Sequence, residues 1–112
     1  MRCDIVQQGA VIVARIDGIM TLENLDTAHQ HLLARAQKRQ PRMLLDLTGV
    51  PLIDSSALEL MVELQAACNR RGGGVKLVGL NVLCEEILQI TGLLSQFEVF
   101  DNQITAMGSF AT

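Results

Sequence analysis

Asp54, Ser55 and Ser56 stand together where the apolar pair Leu52-Ile53 gives way to the periodic stretch that begins at Ala57. At a helix start, residues of these types can do two kinds of chemistry. The N-terminus of a helix offers up to four unpaired N–H groups and a partial positive charge, so a serine there can cap the helix or carry a phosphate that the helix end stabilises. Ser56 and Glu59 have the Ser-x-x-Glu spacing of a capping box, in which the serine side chain takes the N3 amide and the glutamate reaches back to the serine's own N–H. That spacing predicts Ser56 as the cap and leaves Ser55, one residue outside the helix, with a hydroxyl open to modification. The competing reading of Ser55 is a loop serine hydrogen-bonded to nearby backbone. Asp54 can orient the Ser55 hydroxyl or close an Asx-type turn at the strand end.

Other reactive residues do not assemble into a second motif. Asp17, Asp26, Asp46 and Asp54 are scattered, which predicts loop and surface carboxylates rather than an acid-base pair or a metal site. His29 and His31 lie two apart on a predicted helix and so cannot pair as i, i+4 ligands; solvated histidines are expected. The serines lack a Gly-x-Ser-x-Gly elbow, which argues against a serine hydrolase. Gly72-Gly73-Gly74 precedes a strand and has no Gly-Lys-Ser or Gly-Lys-Thr, so it reads as a turn and not a phosphate cradle. Cys3, Cys68 and Cys84 show no Cys-x-x-Cys spacing and are expected to be buried or half-buried thiols. Neither a metal nor a cofactor is expected.

These residues must be positioned by one compact unit, because 112 residues build one core and not two. Residues 1–112 are read as a single domain. Hydrophobic residues make up 49% and charged residues 19%, a globular balance, and no apolar run approaches the length of a membrane span. The start Met1-Arg2-Cys3-Asp4-Ile5 has no long apolar segment of the kind a signal peptide needs, so a cytoplasmic location is expected. A net charge of −3 and the lack of Trp and Tyr argue against nucleic-acid binding, which draws on basic patches and stacking rings.

Periodicity supplies the elements. Cys3 to Gln7 and Val11 to Asp17 are Ile- and Val-rich runs around Gln8-Gly9-Ala10, which predicts an antiparallel hairpin. Thr21 can cap a helix in which Leu22, Leu25, Ala28, Leu32 and Ala36 recur up to Arg39, before Pro41 stops it. Met43 to Leu47 reads as a central strand buried on both faces. A second helix carries Ala57, Leu60, Met61, Leu64, Ala67 and Cys68 on one stripe and ends at Asn69-Arg70-Arg71 and the three glycines. Val75 to Val78 is a strand, Asn81 caps a third helix with Leu83, Ile87 and Leu88, and Phe97 to Phe100 is a last strand; the tail from Asp101 fits no one element. The order β-β-α-β-α-β-α-β predicts an α/β fold, a mostly parallel sheet with an antiparallel N-terminal edge hairpin. If successive strands are neighbours, the three crossover helices share one face and leave the other less covered.

This order, the Asp54-Ser55-Ser56 junction, the turn Arg71 to Gly74 and the later run Ile87-Leu88-Gln89-Ile90-Thr91-Gly92-Leu93 together resemble the STAS domain family. That family comprises the bacterial anti-sigma factor antagonists and the cytoplasmic domains of sulfate transporters. The resemblance spans nearly the whole chain. It implies a binding module, not an enzyme. In the antagonist branch an anti-sigma factor that is also a serine kinase phosphorylates the serine after the Asp, here Ser55, and a phosphatase resets the switch. The partner-facing residues it implies are Asp54, Ser55, Ser56, Leu58, Glu59 and Val62.

Two departures from the family pattern fall at that end of the molecule. Antagonists usually have glycine after the serine pair and small residues in the next turn, where this chain has Ala57, Glu59 and Glu63; the family's Gly-Glu-Leu-Asp is replaced by Gly18-Ile19-Met20-Thr21. Glu59 leans toward a second reading, a subunit that docks permanently on a transporter's ATPase or a signalling assembly. A small-molecule or nucleotide-binding domain is a third.

Overall fold

The computed structural model describes residues 1–111. Five strands form one sheet in the order β1-β2-β3-β4-β5: β1 (Arg2–Gln8), β2 (Val11–Asp17), β3 (Arg42–Gly49), β4 (Gly74–Val78) and β5 (Glu98–Phe100). β1 and β2 are antiparallel, with Val6 opposite Val13, and every later neighbour is parallel. The expected α/β fold with an antiparallel edge hairpin is therefore the observed one. Gly9, at a φ of 59°, turns the hairpin where a side chain would be strained.

Three helices cover one face: α1 (Asp26–Arg35), α2 (Ser55–Arg70) and α3 (Val82–Ile90). Their stripes, Ala28 and Leu32, then Leu60, Met61 and Leu64, then Cys84 and Leu88, close on Ala14, Ile16, Met43, Leu45, Leu47 and Leu77 from the sheet in one core. Each Leu, Ile or Met so buried contributes about 1.5–3 kcal/mol. Among the described residues, no helix is long and apolar enough to cross a membrane.

The tail forms a fourth helix, α4 (Gln103–Phe110), on the opposite face. Asn102 caps it by accepting from the Thr105 amide at 2.9 Å, and Ala106, Met107 and Phe110 pack over Val11, Val13, Leu44 and Val78. Lys76 anchors its end, with the ammonium 4.3 Å from the Phe110 ring centre, 2.8 Å from Ser109 Oγ and 3.3 Å from Glu98.

Asp46 corrects the expectation of a surface carboxylate. It lies within β3 at 6% exposure and accepts from the Thr48 hydroxyl and Gln103 Nε2, both at 2.6 Å, and from the Thr48 amide at 3.0 Å. Burial pushes its pKa up, but the hydrogen bonds from Thr48 and Gln103 outweigh it and hold the carboxyl below its ordinary range.

The first helix is also shorter than periodicity suggests. Thr21 does not cap it; Leu22–Asn24 form a 3₁₀ turn and α1 starts only at Asp26. The cause is tertiary: Asp54 takes the Leu22 amide and Asn24 Nδ2 donates to the Ile19 carbonyl, so the segment is tied to its surroundings before a helix can run. At the far end Gln40 adopts a φ of 49° and its amide donates to the Arg71 carbonyl.

Candidate functional site

Asp54 is the N-cap of α2. One carboxylate oxygen accepts from the Ala57 amide and the other from the Leu22 amide, each at 3.0 Å. The Ala57 amide above all holds the Asp54 carboxyl below the usual carboxylate range; desolvation opposes it, and the Leu22 and Ser56 amides add smaller lowering contributions. The Asp54 amide in turn donates to the Met20 carbonyl at 3.2 Å, and Met20 bridges Ile53 in parallel. The end of the sheet is thus stitched around one aspartate.

That geometry overturns the capping box. Ser56 lies inside the helix, not at its cap, and Glu59 makes no hydrogen bond back to it. Asp54 wins because it stands three residues before Ala57, the spacing an N-cap oxygen needs, and its second oxygen holds Leu22 as well. Ser55 shifts accordingly: it is the first helical residue rather than one outside, and it remains exposed. Its hydroxyl makes no hydrogen bond among the described residues, which leaves it free at the positive end of a 16-residue helix.

Beside Ser55 runs an open groove of about 450 Å³ between α2 and the end of α3, lined by Ser55, Leu58, Glu59, Val62, Glu63, Thr91 and Leu93. Four of the six expected partner-facing residues, Ser55, Leu58, Glu59 and Val62, therefore converge. Leu58 is largely buried and forms floor rather than rim. Asp54 is engaged in the cap. Ser56 turns to a different, smaller groove between α1 and α2, shared with Leu25, Asp26, His29 and Glu63. There His29 Nε2 sits 3.0 Å from Glu63 Oε2, so His29, with a side chain still 43% exposed to solvent as expected, also reaches across from α1 to α2.

Thr91 and Leu93 are site residues that local reasoning on the Asp54 segment does not reach. Thr91 closes α3, its hydroxyl donating to the Ile87 carbonyl at 2.8 Å, and Gly92 at a φ of 77° turns the chain so that Leu93 meets α2. The Thr-Gly-Leu string is the signal that could have found them.

Among the described residues no three His, Cys, Asp or Glu side chains converge as a metal site. Cys68 and Cys84 are buried and Cys3 is half-buried; burial pushes the Cys68 thiol up to about 11, which keeps it protonated and unreactive.

Comparison with known proteins agrees with this architecture. The family model described as STAS domain matches residues 2–106. The chain is 26% identical over 102 residues to BtrV of Bordetella bronchiseptica, a candidate anti-sigma factor antagonist, covering 91% of this chain and 88% of that one. The solved anti-sigma-factor antagonist (STAS) domain protein from Planctomyces limnophilus superposes with a TM-score of 0.89 at 20% identity, over 98% of both chains. The phosphorylated form of the Bacillus cell fate determinant SpoIIAA superposes with a TM-score of 0.77 at 11% identity, over 97% of this chain and 99% of that one. At such identities the two structures speak for the fold alone.

Proposed function

The chain belongs to the STAS domain family, and on that premise we propose that it is a regulatory binding protein of the anti-sigma factor antagonist type, switched by phosphorylation of Ser55. It is the substrate of chemistry rather than its agent. A partner that is both anti-sigma factor and serine kinase binds over Ser55 and the groove beside it, through Leu58, Glu59, Val62 and Leu93. The Ser55 oxygen attacks the γ-phosphorus of the partner's ATP, ADP leaves, and the hydroxyl proton passes to the kinase or solvent. A phosphatase reverses the change by hydrolysis. Such a protein works in the cytoplasm, where its partners and ATP are.

One observation carries this reading: the cap of α2 is supplied entirely by Asp54, so the exposed Ser55 hydroxyl at the first helical position has no structural duty. A phosphate there gains from the helix end, while Asp54 opposes it at short range. The partner that fitted a bare serine then meets a dianion it must desolvate, and binding weakens.

Glu59 and Glu63 on the groove rim favour a second reading, a subunit docked permanently on a transporter ATPase or signalling assembly with Ser55 as a mere contact. Phosphopeptide mapping after incubation with the cognate serine kinase and ATP separates the two. Phosphate on Ser55 is expected; phosphate only on Ser56, or none with the cognate kinase, overturns the switch.

A further inference from the structure

The end of the molecule opposite Ser55 is a pole of uncompensated positive charge. α1 and α2 both run back along the parallel strands, so their C-termini arrive where β3 and β4 begin. Arg35 lies in the last turn of α1, Arg70 and Arg71 close α2, Lys38 and Arg39 occupy the loop between α1 and β3, and Arg42 opens β3. The two loops are fastened together: the Gln40 amide donates to the Arg71 carbonyl at 3.2 Å, the Gly74 amide to the Pro41 carbonyl at 3.0 Å, and Arg71 Nη2 to Gln37 Oε1 at 3.2 Å. A Cβ on Gly73 would collide with the Pro41 carbonyl oxygen, which shows how closely the loops meet.

These six residues are two thirds of the nine Lys and Arg in the chain, and neither residues 27–45 nor residues 64–84 contain a carboxylate. None of the six is in an ion pair among the described residues, whereas Arg2, Arg15 and Lys76 each have one. Complementing helix dipoles accounts for Arg35 and Arg70, and the bond to Gln37 accounts for Arg71, which leaves Lys38, Arg39 and Arg42 without a role in the fold.

We propose that this pole docks the protein reversibly on an anionic lipid surface. A membrane surface asks only for clustered cations, each adding to the attraction, and arginine forks suit phosphate headgroups. A protein partner would need apolar anchors among the charges, and no large apolar side chain is exposed between residues 27 and 51 or between 53 and 81. Single-stranded nucleic acid would need stacking rings, and the three phenylalanines, Phe97, Phe100 and Phe110, lie in neither basic segment. Docked in this way, the molecule turns its acidic remainder and Ser55 outward. α2 alone separates the pole from Ser55 by about 24 Å, more than two Debye lengths at physiological salt.

Sedimentation with vesicles tests this. The intact protein should pellet with phosphatidylglycerol-containing vesicles and not with pure phosphatidylcholine at about 0.05 M salt, and should be released at about 0.5 M. Combined Lys38→Gln, Arg39→Gln and Arg70→Gln, all at exposed positions, should reduce the vesicle-bound ratio at least about tenfold with an unchanged melting temperature. The control pair Arg2→Gln and Arg15→Gln should retain most of the binding. Absence of binding to anionic vesicles, or equal losses in both variants, overturns the proposal. So does tighter binding to RNA or to an acidic polypeptide under the same salt, which would assign the pole to that partner.

Discussion

Asp54 and Leu22 are thirty-two residues apart in the chain, yet the Asp54 carboxylate takes the Leu22 amide at 3.0 Å with one oxygen while capping α2 with the other. One side chain therefore sets both the start of the helix bearing Ser55 and the path of the chain leaving β2.

Asp54→Asn keeps one acceptor for the Ala57 amide and loses the second for Leu22, whereas Asp54→Ala loses both. The melting temperature is expected to fall in the order parent, Asn, Ala, and Ser56→Ala should fall less than either. Because the native carboxyl is held below its ordinary pKa, its stabilisation is complete above the unfolded value of about 3.9 and disappears as pH drops through the native one. Acid unfolding of Asp54→Ala should accordingly show a smaller loss of stability between neutral and acidic pH than the parent. Equal melting temperatures for Asp54→Ala and Ser56→Ala would refute the assignment of the cap.

Ser55→Asp places a carboxylate at the first position of α2, where the helix end favours it and Asp54 opposes it. Stability should stay within about 0.5 kcal/mol of the parent in chemical denaturation. Affinity for the kinase-type partner, by calorimetry, should nonetheless be lower than that of Ser55→Ala. Equal affinities, or a collapse of the fold in Ser55→Asp alone, would count against a switch at this serine.

Glu59 is exposed at the groove rim and makes no capping bond, so Glu59→Gln should also change stability by no more than about 0.5 kcal/mol. If the carboxylate selects the partner, the substitution alters affinity and flattens its dependence on salt. Binding curves at low and high salt that overlay those of the parent would leave Glu59 without a role in recognition.

Gln103→Ala removes a 2.6 Å donor from buried Asp46 and the bond that ties the first turn of α4 to β3. A loss of about 1–3 kcal/mol is expected, the range for stranding a buried charged acceptor. Hydrogen exchange should rise first in α4, since its docking rests on that bond, the Lys76 cluster and a small apolar patch. Unchanged protection in α4 would mean that its apolar contacts suffice.

The strands, the α2 stripe and the polarity of the sheet were legible in the chain because each rests on local periodicity: alternation or long apolar runs in strands, three- and four-residue steps in helices. Asn81 as a cap was legible for the same reason, its partner Cys84 being three residues away. In α3 only Ile87 and Leu88 were placed rightly, since Leu83 is exposed and Cys84 is buried in its stead. The Ser55 junction was visible as a helix start, but the identity of its cap was not, since Ser-x-x-Glu and Asp-x-x-Ala compete for the same turn. The Leu22 amide decided between them from thirty-two residues away. The same contact shortened α1.

Tertiary contact likewise buried Asp46, whose sequence neighbours give no sign of Gln103 fifty-seven residues on, and brought Thr91 and Leu93 to α2. It also gathered two basic segments, each unremarked in a chain of net charge −3, at one pole. By itself the sequence determined the strands, the apolar stripe of α2 and the presence of a helix start at the Asp54-Ser55-Ser56 junction. Which groups face one another across the fold was decided by packing alone, because hydrogen bonds and charges between distant segments leave no period in the sequence to read.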